Sequence, residues 1–297
     1  FVGAALFTLM GYLDDRQERP VVVRLVAQAL ILFLVLKHDL FLLDLGKIFG
    51  STDFSLGFAA IPVTLFVFVG VINAVNMTDG IDGLAAVIGI TALVGFLAAT
   101  AQPLILDPAS IMHIAHTQQL AGAAIGALIG FLFYNLRTPW RLQASVFLGD
   151  AGSMLLGFIL GWMAIVTISP GPPTGIDIPP VICLWILIIP LFDAVSCILR
   201  RVLERRNPFL ADKRHLHHLL LKQGMNQTQV VFALGGTNAL GAAIGVISWR
   251  LQIPEPLLFW TYLALFGLFT GYVIRFWRRE AADLGANTAT QSPGGKR

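Results

Sequence analysis

Charge is what this sequence has least of. Asp, Glu, Lys and Arg together make up 12% of its 297 residues, and runs such as 58–75 carry none. With 56% hydrophobic residues and a mean hydropathy of +0.77, the chain falls outside the range of soluble globular domains. Cysteine is nearly missing: there are two, Cys183 and Cys197, in one apolar run. On a helix they would stand ~21 Å apart, beyond disulfide reach. That excludes a disulfide scaffold and leaves the redox compartment unread. No fixed-period repeat and no signal peptide are present. An initiating Met is lacking too. About twelve apolar residues precede the first charges, too few for a ~20-residue span, so N-terminal sequence ahead of Phe1 is expected to be missing or removed.

Long apolar runs are what the chain has instead. They cover roughly 21–43, 58–75, 84–101, 118–136, 151–169, 180–199, 229–249 and 257–274. The expected fold class is therefore all-α: a polytopic membrane protein of about eight full transmembrane helices plus one partial N-terminal helix. Glycine is plentiful, as where helices pack closely in lipid. Residues 1–280 are expected to form one integral-membrane unit. The tail 281–297, ending Ser-Pro-Gly-Gly-Lys-Arg, reads as disordered. Orientation follows from the basic residues. If the Asp14-Asp15 loop is cytoplasmic, alternation puts every Lys and Arg except Lys37, Lys47 and Arg250 on that side.

The motifs around Asp14-Asp15, Asn76/Asp79/Asp82, Asp150, Asp193 and His215/His217/His218 map to that same face. The central stretch is Asn73-Ala-Val-Asn76-Met-Thr-Asp79-Gly-Ile-Asp82-Gly-Leu84, between two apolar runs. On a helix Asn76, Asp79 and Asp82 would share one side, whereas the two Asp-Gly steps favour a turn. A carboxylate at a span's edge is costly and so a functional candidate, although a plain polar hairpin fits too. Asp14-Asp15 reads either as a charged stop beside Arg16 or as a proton acceptor next to a cation ligand. Asp150, in Phe147-Leu-Gly-Asp-Ala-Gly-Ser153, is an N-cap for the following span, a metal ligand, or both. Asp193 lies inside an apolar run and shares a helix face with Arg200, so an ion pair and a catalytic role stay open. Asp212-Lys-Arg-His-Leu-His-His218 has no further Cys or His to complete a zinc site. Its cations suit a phosphate, with anionic lipid the plainer reading. Hard oxygen ligands point to Mg²⁺ or Mn²⁺.

These segments, in this order, resemble the polyprenyl-phosphate N-acetylhexosamine-1-phosphate transferases over about the whole chain. Leu13-Asp-Asp-Arg16, Asn73–Leu84, Phe147–Gly157, Pro190–Arg201 and the His-Leu-His-His loop carry the resemblance. Asn207-Pro-Phe209 before Asp212–His218 resembles the branch that uses UDP-GlcNAc. The Ala-Pro-Ile-His-His-His-type stretch of the pentapeptide-transferring branch is missing. The resemblance implies transfer of a sugar 1-phosphate from a UDP-N-acetyl sugar to undecaprenyl phosphate with release of UMP, at the cytoplasmic leaflet of a bacterial inner membrane. The product would initiate a cell-envelope polysaccharide such as O-antigen. By the same resemblance, Asn76 and Asp150 are metal positions for Mg²⁺ (or Mn²⁺), and Asp14, Asp15, Asp79 and Asp82 form the catalytic set. Arg24 contacts the lipid phosphate, Phe147 stacks on uracil, and Arg201, His215, His217 and His218 meet the diphosphate and sugar. Two earlier spans and a basic first loop normal for the family have no counterpart in the sequence.

UDP-GalNAc or UDP-MurNAc-pentapeptide as donor stays open, as does a homodimer; no nucleic-acid partner is expected. An ion-coupled transporter is the reading from another class, but such proteins place ionisable groups near mid-membrane in repeated halves. A non-catalytic scaffold on anionic lipid would leave the carboxylates unexplained.

Overall fold

A computed structural model describes residues 1–17, 19–36, 40–101, 108–138, 140–168, 178–208 and 214–290. Eleven α-helices are present among them: α1 (Val2–Arg16), α2 (Val21–Val35), α3 (Ala60–Thr78), α4 (Leu84–Thr100), α5 (Pro108–Asn135), α6 (Gly149–Ile168), α7 (Pro180–Ile186), α8 (Ile188–Leu203), α9 (Leu216–Lys222), α10 (Gln227–Arg250) and α11 (Glu255–Thr290). Among the described residues the only β pairing is two isolated bridges, Asp44 with Ser55 and Thr138 with Arg141.

Five helical segments, within 57–78, 115–135, 149–168, 227–250 and 255–282, are long and apolar enough to cross a membrane. Counting α7 and α8 as one broken span makes six. The remaining apolar runs give shorter helices. The run 21–43 yields only the 15 residues of α2, because the backbone turns extended at Leu36. The 17-residue α4 is apolar on all sides and packed inside the bundle, as its buried Leu84, Ile88, Leu93 and Phe96 show. At 1.5 Å per residue these two reach only ~23–26 Å. The segment expected to be a disordered tail starts helically: α11 runs to Thr290, over a Glu-Ala-Ala-Asp-Leu stretch rich in helix formers. Residues 291–297 lie outside the described residues.

The run 180–199 is bent by 87° between α7 and α8. A break frees backbone groups that lipid cannot satisfy, and Asn238 of α10 supplies the partners. Its Oδ1 accepts the Ile189 N–H at 3.3 Å, and its Nδ2 donates to the Ile186 carbonyl at 3.2 Å and to Thr91 Oγ1 at 3.0 Å.

Two apolar cores hold the bundle. The larger surrounds α4, with Leu93, Phe96, Ile182, Trp185 and Val230. The smaller joins α1, α2, α3 and α6 through Phe7, Leu32, Phe68 and Phe158. Phe158 stacks on Phe7 at 5.1 Å and on Phe68 at 5.7 Å, contacts worth ~0.5–1.5 kcal/mol each beyond burial. This smaller core fixes the three helices that carry Asp14 and Asp15, Asn76 and Asp79, and Asp150. Their polar ends therefore meet at one end of the bundle.

Candidate active site

The stretch 76–84 is a helix end and a turn. α3 stops at Thr78, Asp79 takes the C-cap position, and α4 restarts at Leu84. The turn reading thus holds over the one-sided helix. Asn135, at the end of α5, fixes the turn's exit: its Oδ1 accepts the Gly83 N–H and its Nδ2 donates to the Val146 carbonyl, both at 2.6 Å. One buried side chain so ties the Asp79–Asp82 turn to the loop that leads into Asp150. Arg137 adds a second tie, with Nε 2.6 Å from Asp82 Oδ2.

Asp150 sits in the first turn of α6. The carboxylate that caps this helix belongs to Asp15 instead: it accepts the N–H groups of Asp150 at 2.8 Å and Ala151 at 3.1 Å. An anion is favourable at such an N-terminus. Gly149 has φ +63° and lies against the Asp15 oxygens; a side chain there would be strained and would displace the cap. With Asp15 in that position, the Asp150 carboxylate is left facing the site. Asn76 Nδ2 donates to Asp150 Oδ1 and to Ser153 Oγ, each at 2.8 Å. Its own Oδ1 is thereby turned away from Asp150.

Asp14 is buried, with Oδ2 2.9 Å from Arg24 Nη1 and Oδ1 accepting the Arg19 N–H at 2.9 Å. Its carboxyl is also a hydrogen-bonding neighbour of Asp150. Asp79 is surrounded by acid. Burial, then the charges of Asp150, Asp82 and Asp15, push its carboxyl up to about 7. Among the described residues, Arg24 and Arg137 are the ion-pair partners of these five carboxylates. That excess of negative charge, with only oxygen donors, fits a hard divalent cation. Of the two positions named from sequence, Asp150 offers a carboxylate to such an ion, whereas Asn76, with its Nδ2 spent on Asp150 and Ser153, would offer an amide oxygen that points away from Asp150.

The His loop forms the facing wall, and the structure corrects one pairing there. Asp193 does not pair with Arg200, whose salt partner is Glu204 at 3.5 Å; Asp193 Oδ2 lies 2.9 Å from His215 Nδ1. Burial works against charge on His215, but the hydrogen bond and charge of Asp193, with Cys197 alongside, outweigh it and push the imidazole up to about 10. His217 goes the other way: burial, reinforced by His218, lowers it to about 4. The His217 ring packs over Gly80, where any Cβ would collide with it, and its buried Nε2 has no partner among the described residues. Arg201 Nη1 donates to the Pro208 carbonyl at 2.6 Å. Phe147 is 77% exposed on the loop before α6.

Asp193, Cys197 and His215 bring three ligand-type atoms within 4.8 Å of one another, the one such group among the described residues. The 2.9 Å between Nδ1 and Oδ2 is a direct hydrogen bond, tighter than the ~3.3 Å between ligands around a tetrahedral zinc. The trio is already satisfied without an ion.

Between the two walls a cavity of about 960 Å³ runs along α2, α3, α6, α8 and α11. Leu25, Leu65, Phe66, Val195 and Phe266 line its length, and Arg24, Asn76, Arg201 and His215 mark its polar end. Beyond the residues named from sequence, the structure adds Asn135, Ser153 and the Asp193–His215 contact to this region. Asn135 had one usable signal, a lone amide at the end of an apolar run.

Residues 1–168 match the pattern of glycosyl transferase family 4. The undecaprenyl-phosphate alpha-N-acetylglucosaminyl 1-phosphate transferase of Yersinia pestis is 38% identical over 281 residues, covering 93% of this chain and 72% of that protein. The protein of that name from Escherichia coli strain K12 is 35% identical over 277 residues, with the same coverage. Its counterpart in Haemophilus influenzae is 33% identical over 278 residues, covering 92% of this chain and 75% of that protein.

Proposed function

Since the chain belongs to glycosyl transferase family 4, we propose that it transfers N-acetylglucosamine 1-phosphate from UDP-GlcNAc to undecaprenyl phosphate, releasing UMP. One observation supports this most directly: the 960 Å³ apolar cavity ends in Arg24, Asn76, Arg201 and His215, beside the carboxylate cluster. A lipid tail fits the apolar length, and its phosphate would then lie where the acids and bases converge.

In the reaction an oxygen of the lipid phosphate attacks the sugar-bearing phosphorus of the donor. The new O–P bond forms as the bond to the UMP oxygen breaks, and the sugar–oxygen bond is kept. Mg²⁺ (or Mn²⁺), held by Asp150 and Asn76, supplies charge neutralisation across the diphosphate when bound. The chain's own groups do the remainder. Arg24 orients the lipid phosphate and Arg201 the diphosphate and sugar, and positioning supplies much of the rate in phosphoryl transfer. Asp14 accepts a proton from lipid phosphate when that group arrives protonated, with Asp15 holding α6 and hence Asp150 in place. Asp79 and Asp82 face the nucleoside and sugar, with Phe147 exposed to stack on uracil. His217 and His218 meet the diphosphate.

The membrane arrangement belongs to the same reading. α2 and α4 lie in a bacterial inner membrane with the six longer spans, making eight, and α1 is the partial ninth. The acid end faces the cytoplasm, as the basic residues direct.

The test is UMP release by purified protein in liposomes containing undecaprenyl phosphate. UMP from UDP-GlcNAc that requires both the lipid and Mg²⁺ is expected. Turnover with UDP-GalNAc or UDP-MurNAc-pentapeptide in its place would change the donor, and UMP release without the lipid would overturn the acceptor.

A further inference from the structure

Asp193 is buried in α8, and both of its oxygens are committed to the start of another helix. Oδ2 lies 2.9 Å from His215 Nδ1, and Oδ1 accepts the Leu216 N–H at 2.7 Å. His215 is the N-cap residue of α9 and makes no side-chain cap of its own, so a residue 23 positions away answers an N–H that the helix leaves open. Cys197, one turn along α8, closes the arrangement. Its Sγ is 3.6 Å from His215 Nδ1 and 3.5 Å from the Arg214 carbonyl. The His217 ring is stacked parallel to that of His215, with centroids 5.7 Å apart. It is 2% exposed and sends Nε2, which has no partner among the described residues, towards the Asp79–Gly80 turn.

We propose that Asp193 is a positioning residue, acting through His215 to set the start of α9 so that His217 faces the Asp79–Gly80 turn. This rests on the transfer reaction proposed above, in which the donor diphosphate lies between that turn and the His loop. α9 has 7 residues, too few to hold its own N-terminus in place by helix formation alone. The carboxylate does three things: it accepts from the ring, accepts from the backbone, and keeps His215 protonated across the working pH range. Asp193 and Cys197 from α8, and His217 from α9 itself, are the titratable groups that face the His215 ring. A protonated His215 beside His217 in turn disfavours a second charge there, which leaves His217 neutral and able to accept or donate at Nε2.

The experiment compares Asp193→Asn and Asp193→Glu with wild type in liposomes. Asn keeps an oxygen for the Leu216 N–H but turns an amide N–H towards Nδ1. Expected for Asp193→Asn is a roughly 10–100-fold fall in kcat/KM for the UDP-sugar, unchanged KM for the lipid, and partial recovery in Asp193→Glu. Activity of Asp193→Asn should also fall as pH rises through the ordinary histidine range near ~6.5, as His215 loses its proton, while wild type stays flat there. Proton NMR should show a downfield Nδ1–H signal in wild type that Asp193→Asn lacks. Wild-type kinetics in Asp193→Asn would overturn the proposal. So would stoichiometric zinc in wild type that Cys197→Ser abolishes, since the trio would then be a metal site. If wild type releases no UMP, the transfer reading fails, and the NMR signal still tests the Asp193–His215 contact.

Discussion

At one wall of the site Asp14, Asp15, Asp79, Asp82 and Asp150 crowd together around two ion-pairing arginines, Arg24 and Arg137. Across from it Asp193 is enclosed by His215, the Leu216 N–H and Cys197. Both walls are built around carboxylates at one end of the bundle, yet their charge is handled oppositely. The acid wall is left short of positive charge and holds Asp79 near its titration midpoint at neutral pH. The Asp193–His215 pair is closed on itself, and beside it His217 Nε2 has no partner among the described residues. An under-neutralised acid cluster waits for a ligand; a satisfied buried pair holds something else in place.

The strongest way to break this comparison is Asp150→Asn. Turnover should fall more than about 100-fold, since even partners one step removed from a metal cost 10–100-fold. The melting temperature should not fall, because a repulsive charge leaves the cluster. Activity near wild type at saturating Mg²⁺ would remove Asp150 from the cation site.

Cation linkage comes next. Asp79 has a folded-state pKa raised from about 4 to about 7, so the folded state binds its proton more tightly than the unfolded chain. That stabilisation is full below pH ~4 and is lost as pH rises through ~7. Mg²⁺ should replace the missing proton. At ten times its Kd it should add about 1.4 kcal/mol at pH 8 and clearly less at pH 6, read as a shift in melting temperature. Equal shifts at the two pH values would separate the cation from the acid wall.

Asp15 sharpens the contrast within the acid wall. Asp15→Ala should cost about 1 kcal/mol of stability through loss of the α6 cap, and Asp15→Asn only a few tenths. If Asp15→Asn also keeps most of its turnover, Asp15 acts as a cap; a large loss of turnover at full stability would give its charge a direct part. Arg137→Ala should have the smallest effect. Its side chain is 38% exposed, so the pair with Asp82 is worth less than about 1 kcal/mol. Denaturant unfolding at low and high salt reads it.

Local patterns made part of this legible in advance. The Asp-Gly steps at 79–83 gave the turn, and the apolar runs placed the helices. The charged residues that punctuate those runs put every acidic motif at one end. What stayed hidden depends on contacts distant in sequence. Nothing near Asp193 names His215 as its partner; the nearer cation, Arg200, was the reasonable choice and goes to Glu204 instead. Asp150, just ahead of an apolar run, fits an N-cap, a metal ligand or both. The cap comes from Asp15, 135 residues earlier. The run 21–43 was long enough to span, but hydropathy does not register the extended backbone at Leu36. The tail from Ala281 reads as disordered from its Ser-Pro-Gly-Gly-Lys-Arg end, whereas Glu280, Ala281 and Ala282 carry the helix onward to Thr290.

The bend at Leu187 has a consequence for biogenesis. Ile186 and Asn238 are 52 residues apart, and α10 is synthesised after α7 and α8. At ~5–20 residues per second the ribosome needs roughly 3–10 s to cover that distance. For that interval the carbonyl of Ile186 and the N–H of Ile189 lack their partner, in a medium that offers no water to replace it. The elbow therefore has to wait, straight, shielded at the insertion site or hydrated at the interface, until α10 arrives. Chains stalled before residue 238 should expose the 180–203 segment to water-soluble thiol reagents at Cys183, which is buried in the finished bundle.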